Sequence, residues 1–180
     1  ALERRRDDFE VAAIEEKQEL SFGGVTVQVR LDRIDRLARG THVVLDYKTG
    51  ACAVRDWLGA RPEAPQLPMY ALGTPRVAAI AFAQVKTGLM AFKGFAREDK
   101  LLPKVSAVGK GAAKGYRDWP HLLGALRTEL DAIGRGFAGG DARVDPKKGG
   151  ATCGLCDQQM ACRIAERAPF GAVGGSEIDE

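Results

Sequence analysis

Between Phe9 and Lys48 the apolar positions recur every second residue. Phe9, Val11 and Ala13 alternate with polar neighbours, and Val25, Val27, Val29 and Leu31 do so again after Gly23-Gly24, a pair suited to a hairpin turn. A third run, Thr41 to Lys48, follows Ala38-Arg39-Gly40 and stops at Thr49-Gly50. This pattern predicts a three-stranded antiparallel meander over 9–48. Ahead of it, Leu2 to Phe9 reads as the tail of a helix.

Between Arg55 and Gly73 the spacing becomes helical, but Pro62 and Pro65 interrupt it. The spacing therefore predicts a helix starting near Pro65, running through Gln66, Leu67, Met69, Tyr70 and Leu72, and closed by Gly73. Residues 77–86, Val-Ala-Ala-Ile-Ala-Phe-Ala-Gln-Val-Lys, form a near-continuous apolar run, as in a strand buried on both faces. Thr87-Gly88 turns it into a hairpin partner at Leu89 to Phe95. Val105 to Gly115, rich in Gly, Lys and Ala, reads as a mobile basic loop able to brush phosphates. Trp119, Leu122, Leu123, Leu126, Leu130, Ile133 and Phe137 mark a long amphipathic helix over 117–138 that stops at Gly139-Gly140. A Gly-rich, acidic tail, 171–180, is expected to be loose.

These elements describe an α/β fold, a central mixed β-sheet flanked by helices. At 180 residues the chain fits one domain, expected over 1–170. No internal repeat is visible. Its 45% hydrophobic and 28% charged composition is that of an ordinary globular protein, and no apolar run approaches the about 18 residues that a membrane span requires, so no membrane partner is expected. The start lacks a basic segment followed by an apolar one, so a cytoplasmic location is the default expectation. Because the first residue is Ala, the chain is expected to be a piece of a longer polypeptide. A net charge of +3 is compatible with a polyanionic partner but far from that of a DNA-coating protein.

The candidate chemistry lies in the acidic positions of the meander. Alternation places Asp32 opposite Val25, Val27, Val29 and Leu31, on the face of Gln28 and Arg30. Asp46 and Lys48, two apart, project from one face of the next strand. Two carboxylates and an ammonium can then converge where strands 25–36 and 42–48 diverge. Carboxylates on adjacent strands bind a hard cation while leaving positions for water and substrate, which suits phosphodiester hydrolysis; Lys48 would orient the attacking water or neutralise developing charge. Taken singly, Asp32, Asp35, Asp46 and Lys48 read as a solvated charged edge, as most Asp and Lys residues on strands do, and Tyr70 equally as an ordinary core aromatic.

Taken together, Asp32-Arg33-Ile34-Asp35, then Leu45-Asp46-Tyr47-Lys48-Thr49-Gly50, then Gln66-Leu67-Pro68-Met69-Tyr70-Ala71 resemble the PD-(D/E)XK nuclease superfamily, specifically its RecB-like and AddB-like branch. The resemblance implies a restriction-endonuclease-like core and a Mg²⁺-dependent (or Mn²⁺-dependent) deoxyribonuclease. Asp32 and Asp46 would ligate the metal, with the Tyr47 carbonyl completing its shell, and Lys48 would be the catalytic lysine. Gln66 and Tyr70 would position the lysine or the DNA, and Arg33 and Asp35 would form an ion pair bracing the site. The expected role is exonucleolytic processing of double-strand breaks beside a helicase domain or subunit. Branch members carry a His or Glu on a helix before the first strand; here only Glu3 and Glu10 lie nearby, and Glu15 matches a common acidic position but lies on a strand. That helix is therefore expected to be truncated away.

Cys153, Cys156 and Cys162 follow a Cys-x2-Cys-x5-Cys spacing within the segment 153–162. Three thiolates can face one metal centre, whereas Zn²⁺ and a four-iron cluster each want four ligands. Cys52, the remaining cysteine, is a weak candidate for the fourth. Free or redox-active thiols are a second reading of the three. AddB-like nucleases show the same triplet, which implies a 4Fe–4S cluster in the intact protein with a fourth Cys outside this chain. His42 and His121 lack ligand neighbours and read as structural. No nucleotide-cradling Gly-rich loop occurs, so any motor must lie elsewhere. The rival reading is a catalytically silent DNA-binding or scaffolding domain of a helicase–nuclease complex. A zinc-binding interaction module, resting only on the cysteines, would leave the acidic motif unexplained.

Overall fold

A computed structural model describes residues 3–162 and Glu166. The chain forms two compact units, one through Gly140 and one from Asp141. In the first, five strands run in the order β1 (Phe9–Phe22), β2 (Val25–Leu37), β3 (His42–Lys48), β4 (Val77–Lys86) and β5 (Leu89–Ala96), paired in sequence order. All neighbours are antiparallel except β3 and β4, which are parallel. The sheet is thus mixed, as expected. Helix α1 (Gln66–Gly73) supplies the crossover between the parallel pair, and α2 (Trp119–Ala138) follows β5. The second unit contains two four-residue helices, α3 (Gly150–Cys153) and α4 (Gln159–Cys162). The expected loose tail 171–180 lies outside the described residues, as does part of the expected domain 1–170.

One core cluster holds Val29, Leu31, Ile34, Val44, Ile80, Phe82 and Phe95 of the sheet together with Leu67 and Tyr70 of α1 and Trp119, Leu122 and Leu126 of α2. The opposite face buries Val43, Leu45, Ala79, Ala81, Ala83 and Phe92 against Leu102 and Val105. Strands β3 and β4 are therefore covered on both faces, which is why β4 reads as an unbroken apolar run. Helix α2 starts where the Asp118 side chain accepts the His121 amide at 2.8 Å, and the Trp119 indole donates to the Val77 carbonyl at 3.0 Å.

The β1–β2 turn uses Gly23 and Gly24, both at positive φ, as a two-residue hairpin requires. The turn also needs them small. A Cβ on Gly23 would stand 2.1 Å from the Asp131 carbonyl oxygen, and one on Gly134 would stand 2.0 Å from that of Phe22. Hairpin backbone and α2 backbone are in contact here.

Three expectations are corrected. The opening segment is no helix tail but a 3-10 turn, Glu3–Arg5, leading into β1, because Arg6 is drawn to the buried Asp35 carboxylate at 2.6 Å. Strand β1 reaches Phe22 at the expected Gly23-Gly24 turn, and its polar stretch Glu15-Glu16-Lys17 is exposed. The 105–115 segment is tied down. Val105 and Ala113 are buried, Ala107 bridges Ala96, and Asp99 accepts both the Ala107 amide (2.8 Å) and the Lys110 ammonium (2.7 Å). Finally, Ile133 and Phe137 are 44% and 76% exposed. Past Leu130 the backbone of α2 meets the hairpin at Gly134, and Ile133 and Phe137 stay exposed.

Candidate active site

The β2–β3 ladder spans Arg36↔His42 to Arg33↔Leu45 and goes no further, while β3 stays paired with β4 to Lys48↔Gln84. The strands part where Asp32 and Asp46 stand. Beyond the last rung the Asp32 carboxylate replaces the missing backbone partner: its Oδ2 accepts the Tyr47 amide at 2.8 Å. Leu31 and Ile34 join the same core cluster although three positions apart. The strict alternation that opposed Asp32 to the core therefore slips between them. Asp32 lies at the margin of the helix-covered face, in line with Ile34.

Asp46 is 1% exposed. Burial raises its pKa above the ordinary carboxylate range; Lys48 works against this and the neighbouring Asp32 carboxylate adds to it. The Lys48 ammonium is 2.7 Å from Asp46 Oδ2 yet outside hydrogen-bond geometry, so that buried oxygen has no hydrogen-bond partner. A buried anionic oxygen without a donor, beside a second carboxylate, is an arrangement that a cation would stabilise. The oxygens of Asp32 and Asp46 and the adjacent main chain of Tyr47 form the hard donor set that suits Mg²⁺ or Mn²⁺. Among the described residues no three His, Cys, Asp or Glu side chains are grouped to hold a metal, so this pair would rely on backbone, water or substrate for the remainder.

From α1, Gln66 donates to the Tyr70 hydroxyl at 2.6 Å, and that hydroxyl donates in turn to the Arg30 carbonyl of β2. Residues four apart share a helix face, which makes this pair possible. Burial raises the Tyr70 pKa and Gln66 lowers it, while the Asp46 and Asp32 charges raise it. Tyr70 is 1% exposed, packed in the core cluster and hydrogen-bonded at the site margin at once.

On the other side of the sheet, Arg33 donates to Asp35 at 2.6 Å and to the Tyr47 hydroxyl at 2.9 Å. Burial opposes the Arg33 charge, but these two hydrogen bonds outweigh it and hold its pKa above the ordinary arginine range. Tyr47 is thus gripped at its hydroxyl by Arg33 and at its amide by Asp32. Asp35, fully buried, also receives Arg6. Glu15 lies in β1 at a left-handed φ and pairs with Arg30.

Gln84 was not singled out by sequence reasoning, although a lone amide inside an apolar run was the available signal. It is 4% exposed, stands in register with Lys48, and donates through Nε2 to the Gly50 carbonyl at 2.7 Å. Lys93 of β5 reaches the Cys52 carbonyl at 3.3 Å. The chain leaving Lys48 is therefore held from two strands.

Cys153 ends α3 and Cys162 ends α4, while the Cys156 sulfur accepts the Gln158 amide at 3.4 Å. The three do not converge as a ligand set in this structure. Cys52 is half-buried against the helix-side core. His42 and His121 make local contacts, to the Pro75 carbonyl (2.7 Å) and from the Arg117 amide (3.0 Å), as their structural reading expected. No helix among the described residues is long and apolar enough to cross a membrane.

The solved structure described as "Crystal structure of SSO0001" shares 22% identity with this chain over 48% of its length, with a TM-score of 0.31; the match covers 41% of that protein's chain. No curated protein matches the chain. A family model describing the PD-(D/E)XK nuclease superfamily matches residues 1–163, a span containing the whole five-stranded sheet and each of the Asp32, Asp46 and Lys48 positions, and the chain belongs to that superfamily.

Proposed function

We propose that this chain is a metal-dependent deoxyribonuclease that hydrolyses phosphodiester bonds at a site formed by Asp32, Asp46 and Lys48. The observation that carries the reading is the buried Asp46 Oδ2, which has no hydrogen-bond partner and faces the Asp32 carboxylate and the Lys48 ammonium. Asp32, Asp46 and the Tyr47 carbonyl would hold Mg²⁺ or Mn²⁺. When bound, the cation supplies Lewis-acid polarisation of the phosphoryl oxygen and a more acidic water. Lys48 orients the attacking water or offsets the charge that develops on the phosphoryl oxygens. Gln66 and Tyr70 fix the spacing between α1 and β2 at the edge of the site, and Arg33, braced by Asp35, holds the Tyr47 hydroxyl.

The finer reading is exonucleolytic processing of double-strand breaks in repair and recombination, beside a helicase domain or subunit, as in RecB-like and AddB-like nucleases. It rests on the order Asp32-Arg33-Ile34-Asp35, Asp46-Tyr47-Lys48 and Gln66 to Tyr70. On the same resemblance, Cys153, Cys156 and Cys162 would be three ligands of a 4Fe–4S cluster, although they do not converge as a ligand set in this structure. Sequence preference is not expected, because contacts to the phosphate backbone carry no base information.

The test is cleavage of end-labelled single- and double-stranded DNA with Mg²⁺ or Mn²⁺ and with EDTA, comparing the chain with Asp46→Ala and Lys48→Ala. Metal-dependent cleavage lost in both variants supports the assignment. DNA binding without cleavage, at every metal and in an N-terminally extended chain as well, would point to the scaffolding reading instead.

A further inference from the structure

Gln84 presents a buried amide with one end used and one end free. Its orientation is set by chemistry: the group facing the Gly50 carbonyl at 2.7 Å must be the NH₂, since two carbonyl oxygens would repel. That leaves Gln84 Oε1 buried with no hydrogen-bond partner, an uncommon and costly condition for an acceptor. The register sets Gln84 directly beside Lys48 on the adjacent parallel strand, and both project to the face that carries Asp46 and Phe82. Lys48 has three N–H donors, and its ammonium is in contact with Asp46 Oδ2 alone among the ion pairs of the described residues. A divalent cation that takes this oxygen competes with the ammonium for it.

We infer that Gln84 is a positioning residue for Lys48: anchored on Gly50 through Nε2, its free Oε1 accepts the Lys48 ammonium when a divalent cation occupies Asp46. This rests on the metal-dependent reading above. The anchoring explains why an amide, rather than a hydroxyl or an acid, stands at this point of an otherwise apolar strand. It needs one donor for Gly50 and one acceptor for Lys48. The hand-over keeps the lysine at the reacting phosphate instead of releasing it to solvent, toward which its side chain is already 37% exposed.

Gln84→Met keeps the side-chain length but neither donates nor accepts, whereas Gln84→Glu restores an acceptor beside Lys48. With DNA and saturating Mg²⁺, kcat of Gln84→Met falls by about 10- to 100-fold with KM unchanged, the size of effect that misplacing a catalytic group produces. Gln84→Glu regains part of the loss. A parental kcat in Gln84→Met, or equal losses in both variants, overturns the inference. An independent readout is the ¹⁵Nζ resonance of Lys48, assigned by its disappearance in Lys48→Arg, with Ca²⁺ as a non-hydrolysing cation. It shifts in Gln84→Met and returns toward the parental position in Gln84→Glu; an unmoved resonance overturns the inference whether or not DNA is cut. If the parent chain fails to cleave while the resonance shifts, the Gln84–Lys48 contact stands and the nuclease reading falls.

Discussion

The Tyr47 amide donates to the Asp32 carboxylate at 2.8 Å, immediately beyond the last backbone rung between β2 and β3 at Arg33 and Leu45. A side chain thus takes over where the ladder ends, and the acid that prolongs the pairing also faces Asp46. Asp32 binds its neighbour strand through Oδ2, and its carboxylate stands beside that of Asp46. Replacing it with Asn keeps an acceptor for Tyr47 but removes the charge. Asp32→Asn is expected to fold with near-parental stability and to lose at least 10-fold in Mn²⁺ affinity, as for removal of one carboxylate ligand from a hard-cation site. Calorimetric titration with Mn²⁺ checks it; parental affinity would remove Asp32 from the ligand set.

Asp46 predicts a conflict between stability and activity. Its pKa is raised in the folded chain, chiefly by burial, so folding favours the protonated form. The sign follows: this contribution is present below the ordinary carboxylate range and is lost as pH rises through the elevated folded value. At neutral pH the ionised group therefore costs stability. Asp46→Asn is expected to raise Tm of the metal-free protein at neutral pH, with the gain shrinking as the pH falls into the carboxylate range, and to abolish cleavage. Thermal melts across pH with EDTA test the sign, and a lower Tm at neutral pH would show that the Lys48 pair outweighs burial.

Tyr70→Phe removes a hydroxyl that links Gln66 to the Arg30 carbonyl. Both partners would be left without it in a largely buried place, at a cost of about 1–3 kcal/mol. Urea unfolding should show a lower midpoint with an unchanged m-value. A loss under 0.5 kcal/mol or so would mean that water replaces the hydroxyl, and that the link is dispensable for the fold.

Gly134→Ala separates two rules of opposite sign. Helix propensity alone favours Ala over Gly by about 1 kcal/mol in a helix interior. Here the added Cβ would stand 2.0 Å from the Phe22 carbonyl oxygen and 2.7 Å from its carbon, both rigid backbone. Destabilisation of about 2 kcal/mol or more is expected, in the range of overpacked sites. A stabilised variant would mean that the β1–β2 turn yields freely from α2.

Local pattern was enough to determine much of this protein. The Gly23-Gly24 turn, the ends of β4 and the span of α1 follow from residues near one another in sequence, because turn conformation, helix period and continuous burial are local properties. The order of Asp32, Asp46, Lys48, Gln66 and Tyr70 was legible for the same reason, and the family match over 1–163 spans all five positions. Tertiary structure alone decided what depends on a partner strand or helix. It slipped the alternation of β2 between Leu31 and Ile34, turned α2 toward the hairpin through Gly134 rather than Ile133 or Phe137, and drew Arg6 out of a helix and onto Asp35. It also set Gln84 beside Lys48 across 36 positions of sequence, through the parallel register of β3 and β4. Periodicity states which residues share a face of one strand; which strand lies next to it, and at what register, is settled only when two faces of a sheet are buried at once.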